Sequence, residues 1–163
     1  MEPRIVNSKE KKIVGKRIRM TFLQNRTFEL WSRFMPARKE ILNSISANLF
    51  SIQIYKNDFD FKNFDLNAEF DKWAAMEVDD FSSVPSGMES MIIPGGLYAV
   101  FIHKGPASEG EITFKHIFGK WLPQSGYTID RRPHFEILGE KYKHEDPDSE
   151  EEIWIPVKQM TED

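Results

Sequence analysis

The chain has 163 residues, of which 40% are hydrophobic, and a formal net charge of −4 at pH 7. This length predicts one domain, or two closely packed halves, with a sizeable core. The sequence contains no cysteine, which excludes disulfides, thiolate metal sites and a thiol nucleophile. It has neither an apolar N-terminal stretch nor a run of about 18 apolar residues, so we expect no signal peptide, no membrane span and a cytoplasmic location.

Basic residues gather near the N-terminus, in residues 9–19. They alternate with Ile13, Val14 and Ile18, which is typical of a strand with a solvated face rather than of a basic recognition helix. We therefore expect no direct binding of nucleic acid.

In chain order, the first half predicts a strand, a helix and two further strands. The first strand covers residues 11–20 and follows a short extended piece at residues 4–6. Thr27 is the predicted N-cap of the helix, which Pro36 either ends or restarts, and an apolar stripe continues beyond this proline. This predicted face comprises Leu30, Trp31, Phe34, Met35, Ile41, Leu42 and Ile45.

Two strands follow at residues 49–55 and 70–78, and the second carries Trp73. The polar loop between them, residues 56–67, contains Phe59, Phe61 and Phe64. We expect these rings to pack back onto the body of the protein. Residues 79–87, which contain a proline and a glycine, mark the predicted boundary between the two halves.

The second half predicts strands at residues 88–93 and 97–104, separated by a glycine-rich turn. Ser108 and Glu111 form a predicted capping box for a helix from about residue 109 to 122, which Pro123 and Gly126 end. The predicted apolar face of this helix comprises Ile112, Phe114, Ile117, Phe118 and Trp121. Further strands are predicted at residues 133–138 and 150–157, on either side of an acidic loop.

Each half thus has the order strand, helix, strand, strand, with Trp73 and Trp154 in equivalent positions. We expect an α+β fold in which duplicated β-α-β-β modules form an antiparallel sheet and two main helices cover one face. The pseudo-repeats would span about residues 1–80 and 88–160 of a single domain, residues 1–163. A cleft between such halves is a natural site for a ligand.

The last predicted strand has an aliphatic face, formed by Ile153, Ile155 and Val157, and a second face formed by Glu152, Trp154 and Pro156. A carboxylate next to an indole can hold a cation that has a flat apolar body. The alternative is an edge strand in which Glu152 faces water and pairing ends at Pro156.

Four segments of the second half occur in a characteristic order: GLYAVFIHKG at residues 96–105, WLPQSGY at 121–127, FEIL at 135–138 and EIWIPV at 152–157. Together they resemble the gyrase-inhibitory-protein-like (GyrI-like) effector-binding domain of multidrug-sensing regulators of the AraC and MerR types. Residues 88–158 carry most of the resemblance, and residues 1–87 agree mainly in the order of their elements.

The resemblance implies a module with an aromatic cavity, and because the sequence shows no helix-turn-helix region we expect a stand-alone member of the family. In the family an acidic residue just before the final strand meets cationic, lipophilic ligands, and here that residue is Glu152. The further candidates for ligand binding are aromatic side chains that suit a hydrophobic core equally well: Trp154, Tyr98, Trp31, Trp121, Trp73 and Phe34. The first hypothesis is therefore a protein that senses or sequesters a toxic lipophilic compound, cationic or aromatic.

Two alternatives remain open. The resemblance also implies a hydrolase of strained, cyclopropane-type genotoxins, in which Glu152 would activate water. The acidic run at residues 145–152 instead suits a gyrase-inhibitor-like module that binds a protein partner. The four histidines are scattered and no phosphate-binding or nucleophile motif is present, so we expect neither a metal nor a cofactor. The oligomeric state stays open.

Overall fold

Within residues 1–161, which the computed structural model of the protein describes, the chain forms nine strands and three α-helices. In order they are β1 (Arg4–Ser8), β2 (Lys11–Met20), α1 (Thr27–Ala37), β3 (Leu49–Tyr55), β4 (Phe70–Val78), β5 (Glu89–Ile93), β6 (Gly96–Lys104), α2 (Gly110–His116), α3 (Leu122–Gln124), β7 (Tyr127–Ile129), β8 (His134–Leu138) and β9 (Glu150–Gln159). A π-helical turn, Ile117–Trp121, joins α2 to α3, so these form one continuous helical segment.

The strands form one antiparallel sheet in the order β1-β6-β9-β8-β3-β4-β2-β5, and β7 pairs beside β9. This order is symmetric about the central pair of β8 and β3, which β9 and β4 flank, followed by β6 and β2. The leading strand of each half pairs with the other half, because β1 pairs with β6 and β5 pairs with β2. The predicted α+β class with an antiparallel sheet is confirmed.

Side chains along each strand point alternately to the two faces of the sheet. The helices cover one of these faces. Leu30 and Phe34 of α1 pack there against Ile18 of β2. In the second half, Ile117 of the π-helical turn packs against Phe101 of β6 on the same face. We call this side of the sheet the helix face.

The sheet is curved, and the side chains on its opposite face pack against one another in a separate hydrophobic core. Trp73, Tyr98, Phe135 and Trp154 belong to this cluster, which draws on strands of both halves. The curvature brings the Lys11 ammonium of β2 to 5.5 Å from the centre of the Trp154 ring of β9, although β4, β3 and β8 separate these strands in the sheet. We call this side the inner face.

The first helix differs from its prediction at both ends. Thr27 is the first residue of α1 rather than its cap, and its backbone N–H donates to Asn25 Oδ1 at 2.9 Å. The predicted apolar continuation beyond Pro36 is wrong, because a 3-10 turn at Arg38–Glu40 ends the helix. Ile41 is still buried, but Leu42 and Ile45 are 82% and 56% exposed.

The second helical segment also begins and ends differently. The predicted capping box is wrong, because the N–H and hydroxyl of Ser108 donate to the Glu145 carboxylate, at 3.1 and 2.6 Å. Ile112 is 69% exposed rather than on the packed face. Pro123 is the second residue of α3, directly after the π-helical turn, so the helical segment does not end at the proline but continues to Gln124.

The end of the chain contains a strand that alternation alone does not predict. β7 has only three residues and pairs with the last part of β9. Accordingly β9 continues past Pro156, which lies opposite Tyr98 of β6, and ends at Gln159. The expectation that pairing ends at Pro156 is therefore wrong.

Candidate functional site

A cavity of about 480 Å³ lies between the helix face of the sheet, the start of α1, the segment α2 and the loop at residues 56–67. Its volume is within the range of sites for drug-sized ligands. Strands β3 and β4 of the first half and β8 of the second half all contribute to it. Seven of its fifteen lining residues are aromatic: Phe22, Tyr55, Phe61, Phe64, Phe70, Phe114 and Phe118.

Three polar side chains lie on the strand side of the cavity: Gln53 of β3, Lys72 of β4 and Glu136 of β8. We call this set the polar floor. Gln53 lies opposite Lys72 in the pairing of β3 with β4, and its amide donates to Glu136 Oε2 at 3.0 Å. Glu136 is only 8% exposed, so a carboxylate is held in a pocket whose walls are aromatic rings.

Burial governs the ionisation of the polar floor. It raises the pKa of Glu136, against the opposing effects of the Lys72 charge and the Gln53 hydrogen bond. It lowers the pKa of Lys72, while the carboxylates of Glu136 and Glu151 act in the other direction. Burial and the nearby Glu136 charge also raise the pKa of Glu151, on β9, to about 7. The charged groups therefore influence one another through a poorly hydrated region.

The loop at residues 56–67, which we call the aromatic loop, closes one side of the cavity. The Phe61 ring stacks on His134 with centroids 5.0 Å apart and on Phe118 at 5.6 Å. Arg131 holds the loop from outside, since its Nη1 donates to the Phe59 carbonyl at 3.0 Å and its guanidinium lies 5.2 Å from the Phe61 ring centre. Burial, together with the charges of the neighbouring arginines, lowers the pKa of His134 to about 3.

The structure places Glu152 across the sheet from this cavity. Its carboxylate accepts a hydrogen bond from the Arg4 guanidinium at 3.0 Å and another from Trp154 Nε1 at 3.0 Å. Its side chain is 34% exposed. The role of Glu152 as a ligand or catalytic residue stays a prediction, and its charge is already paired on the inner face.

Three of the predicted aromatic residues belong to the core of the inner face. Trp154 stacks on Phe135 with centroids 5.2 Å apart, and Trp73 is 4% exposed. The Tyr98 hydroxyl donates to the carbonyl of Pro94 at 2.9 Å, so it is engaged within the protein. A narrow space of about 10 Å³ beside the cavity reaches β9 around Trp154.

The helical candidates are also dispersed. Phe34 is fully buried on the side of α1 that packs against the sheet, and Trp31 contacts it edge to face with centroids 5.8 Å apart. Trp121 packs against Phe101 and stacks on Tyr127, where it borders a separate groove beside the N-terminus. The structure therefore brings Trp154, Tyr98 and Trp73 together on the inner face, away from the aromatic cavity.

The residues of the polar floor were missed by the sequence analysis, although the sequence carries a signal for them. Glu136 lies between Phe135 and Ile137, and Lys72 lies two residues from Phe70 and Ala74. A charged residue in the middle of an otherwise hydrophobic strand is costly unless it is paired or used.

Metal binding and membrane spanning both require features that residues 1–161 do not show. Among residues 1–161, no three His, Asp or Glu side chains converge in a way that could bind a metal ion. None of the helices in this described part of the chain is long and apolar enough to cross a membrane.

Comparison with known proteins agrees with the fold. The transcriptional regulator BrlR of Pseudomonas aeruginosa is 29% identical over 134 residues, which cover 79% of this chain and 45% of BrlR. This chain thus spans about half the length of that relative. Two solved structures share the fold: SAV2435 bound to tetraphenylphosphonium (TM-score 0.76, 16% identity, 97% and 94% of the two chains covered) and a hydrolase encoded by lin2189 from Listeria innocua (0.60, 14%, 96% and 92%).

The family described as the GyrI-like small molecule binding domain matches residues 1–158, almost the whole chain. The cavity and its polar floor lie entirely within the matched residues. The chain therefore belongs to the GyrI-like small molecule binding domain family.

Proposed function

We propose that the cavity binds a lipophilic aromatic compound with a cationic group, and that the Glu136 carboxylate receives this group. The observation that carries the proposal is a buried carboxylate, held by one hydrogen bond from Gln53, among aromatic rings that face the same space. Unpaired burial of a carboxylate is costly, and a cationic ligand relieves that cost by supplying the missing charge.

The aromatic wall supports the same class of ligand. Rings such as Phe118 and Tyr55 supply apolar contact area, and their faces attract cations by about 0.5–2 kcal/mol for each contact. SAV2435, which shares the fold, is bound to tetraphenylphosphonium, a cation surrounded by apolar rings. A protein that binds such a compound either senses it, as one module of a regulator, or sequesters it.

Dye titration tests the proposal directly. Rhodamine 123, a lipophilic aromatic cation, is titrated with wild-type protein and with Glu136→Gln, and binding is followed by the fluorescence anisotropy of the dye. We expect the Glu136→Gln variant to bind about 1–3 kcal/mol more weakly, because the dye cation loses its carboxylate partner. Tetraphenylphosphonium is expected to displace the dye from the wild-type protein.

Glu152→Gln is the matched control for this experiment. It makes the same chemical change on the inner face, where the carboxylate already pairs with Arg4, so we expect it to leave dye binding unchanged. Loss of binding in Glu152→Gln with retention in Glu136→Gln would contradict the proposal and favour the carboxylate that the family resemblance implies. Melting temperatures of both variants show whether either has lost its fold.

The hydrolase alternative has a test of its own, whereas the contacts of the acidic run bear on the protein-interaction alternative. A hydrolase would consume a cyclopropane-type compound, so mass spectrometry of the compound after incubation would show a product mass increased by one water. The acidic run is already largely engaged, since Glu145 bonds Ser108, Glu150 pairs with Lys141 and Glu152 pairs with Arg4. Neither alternative is favoured by a feature of the cavity.

A further inference from the structure

Lys72 is a cation on the floor of a cavity that we propose for cations. It is the third residue of β4, opposite Gln53 of β3 and Ile18 of β2, and its side chain lines the cavity. Within residues 1–161 its ammonium group makes neither a hydrogen bond nor an ion pair, and its neighbours Glu136 and Glu151 act on it only through their charges. The ammonium therefore has three N–H donors available to a molecule in the cavity.

Packing of the sheet does not require a lysine at this position. Trp73 and Trp154 lie in equivalent places of the two halves, β4 and β9, and the residue before each of them points to the helix face. In β9 this residue is Ile153, which is 1% exposed and packs in the core. An apolar side chain thus serves the equivalent position, whereas the half-buried lysine of β4 costs desolvation free energy.

The polar floor therefore presents both signs of charge to the same space. Glu136 is held by Gln53, whereas the Lys72 ammonium is not held by any described group. A ligand with only a positive charge would satisfy Glu136 but would be repelled by Lys72 a short distance away. A ligand with both charges would satisfy both groups, with its aromatic body against the rings of the wall.

We infer that the preferred ligand is zwitterionic: an aromatic amphiphile whose cationic group meets Glu136 and whose carboxylate or other anionic oxygen accepts hydrogen bonds from Lys72. This inference rests on the proposed function and restricts the preferred ligands from cations in general to zwitterions. Lys72 is then the residue that determines specificity between zwitterions and simple cations. The opposing interpretation is that Lys72 only offsets the charge of the two carboxylates and does not contact the ligand.

Two dyes that differ by one methyl ester separate these interpretations. Rhodamine 110 carries a free carboxylate and is zwitterionic near neutral pH, whereas rhodamine 123 is its methyl ester and carries only the positive charge. We expect the wild-type protein to bind rhodamine 110 about 10-fold more tightly than rhodamine 123, because a charge-assisted hydrogen bond forms only with the former. The visible absorbance of bound rhodamine 110 must persist, since the uncharged lactone form is colourless.

The variant Lys72→Met keeps the length of the side chain and removes its charge. We expect it to lose the preference for rhodamine 110 and to bind rhodamine 123 more tightly than the wild type, because the repulsion between the Lys72 ammonium and the dye cation is removed. Lys72→Gln, which keeps a neutral donor, is expected to retain part of the preference. Lys158→Met removes a charge from an exposed position of β9 and is expected to leave the preference unchanged.

The outcomes distinguish this inference from the proposed function. Binding of rhodamine 123 without any preference for rhodamine 110 in the wild type, or an unchanged preference in Lys72→Met, would overturn the inference and leave the cation site standing. Binding of the colourless lactone would also overturn it. Binding of neither dye to the wild-type protein would overturn both.

Discussion

Charged side chains in the middle of strands are the residues on which the proposed site depends. Glu136 and Lys72 each occupy a position where an apolar residue would pack with less cost, and both have a pKa displaced by burial towards the neutral form. Since the two groups do not form a close ion pair, each offsets only part of the desolvation cost of the other. A charged residue with this desolvation cost is retained where ligand binding uses its charge. We therefore assign the site to Glu136 and Lys72 rather than to Glu152, whose charge is already paired.

His134 provides a prediction at the same scale. Its pKa of about 3 in the folded protein lies below the value of 6.5 expected in the unfolded chain, so the unfolded chain binds more protons between these pH values. The free energy of unfolding therefore falls as the pH is lowered through this window. We expect the stability difference between wild type and His134→Phe to shift by about 3 kcal/mol in favour of the variant from pH 7 to pH 4, at about 1.4 kcal/mol per pH unit.

Urea denaturation at a series of pH values measures this shift. The phenyl ring keeps the stacking on Phe61 and the edge-to-face contact with Tyr55, so the comparison isolates the protonation of the imidazole. His144→Asn, at an exposed residue with a positive φ of 53° that asparagine tolerates, serves as the control and is expected to follow the wild type. A constant difference between wild type and His134→Phe at all pH values would contradict the prediction.

Sequence alternation identifies which residues share a face of a strand, but not which face the helices cover. Glu136 lies between Phe135 and Ile137, whereas Glu152 ends an acidic run just before Ile153, and neither pattern shows on which side of the sheet the carboxylate lies. The face on which each lies depends on the pairing of β8 with β9, which brings Glu136 beside Ile153 and thus onto the helix face. This is why the strands were predictable and the site residues were not.

The aromatic loop is the element that separates the cavity from solvent on one side. Its rings were predicted to pack back onto the protein, and Phe59 is indeed 5% exposed, whereas Phe64 remains 42% exposed. The packing partners of the loop could not be predicted, because Phe118 and His134 lie far from it along the sequence and approach it only in the folded protein.

Arg131→Met tests whether the aromatic loop controls access to the cavity. The change removes the hydrogen bond to the Phe59 carbonyl and the contact with the Phe61 ring. We expect rhodamine 123 to associate and dissociate several-fold faster, with a change in affinity below about 1 kcal/mol, since one partly buried hydrogen bond contributes about that much. Stopped-flow anisotropy measures both rates.

Arg33→Met is a suitable control for the loop experiment, because this arginine pairs with Glu29 on the exposed side of α1 and does not contact the loop. Rates in Arg131→Met that equal those of the wild type would show that ligand enters elsewhere.

At the scale of the whole molecule, we propose that the two pseudo-repeats fold as one domain. The pairing of β1 with β6 and of β5 with β2 gives each half a strand that only the other half can complete, and the inner core draws on both. We therefore expect fragments 1–87 and 88–163 to be unfolded when separate, as measured by far-UV circular dichroism and amide-proton dispersion, and to regain structure when mixed.

The intact chain is the control for the fragments. Its unfolding in urea should give coincident transitions by circular dichroism and by tryptophan emission, since Trp73 and Trp154 lie in the shared inner core. A fragment 88–163 that folds alone, or two separate transitions in the intact chain, would show that the repeats are independent units.

The two strands at the ends of the sheet order, β1 and β5, are short, with five residues each. An exposed edge strand is a template on which another chain can add β structure, and natural proteins limit that hazard by keeping such strands brief. A five-residue edge offers few free backbone groups, so growth of the sheet from one molecule into the next is disfavoured. The protein can therefore keep a broad, strongly hydrophobic sheet without the tendency to form β-aggregates that a longer edge would bring.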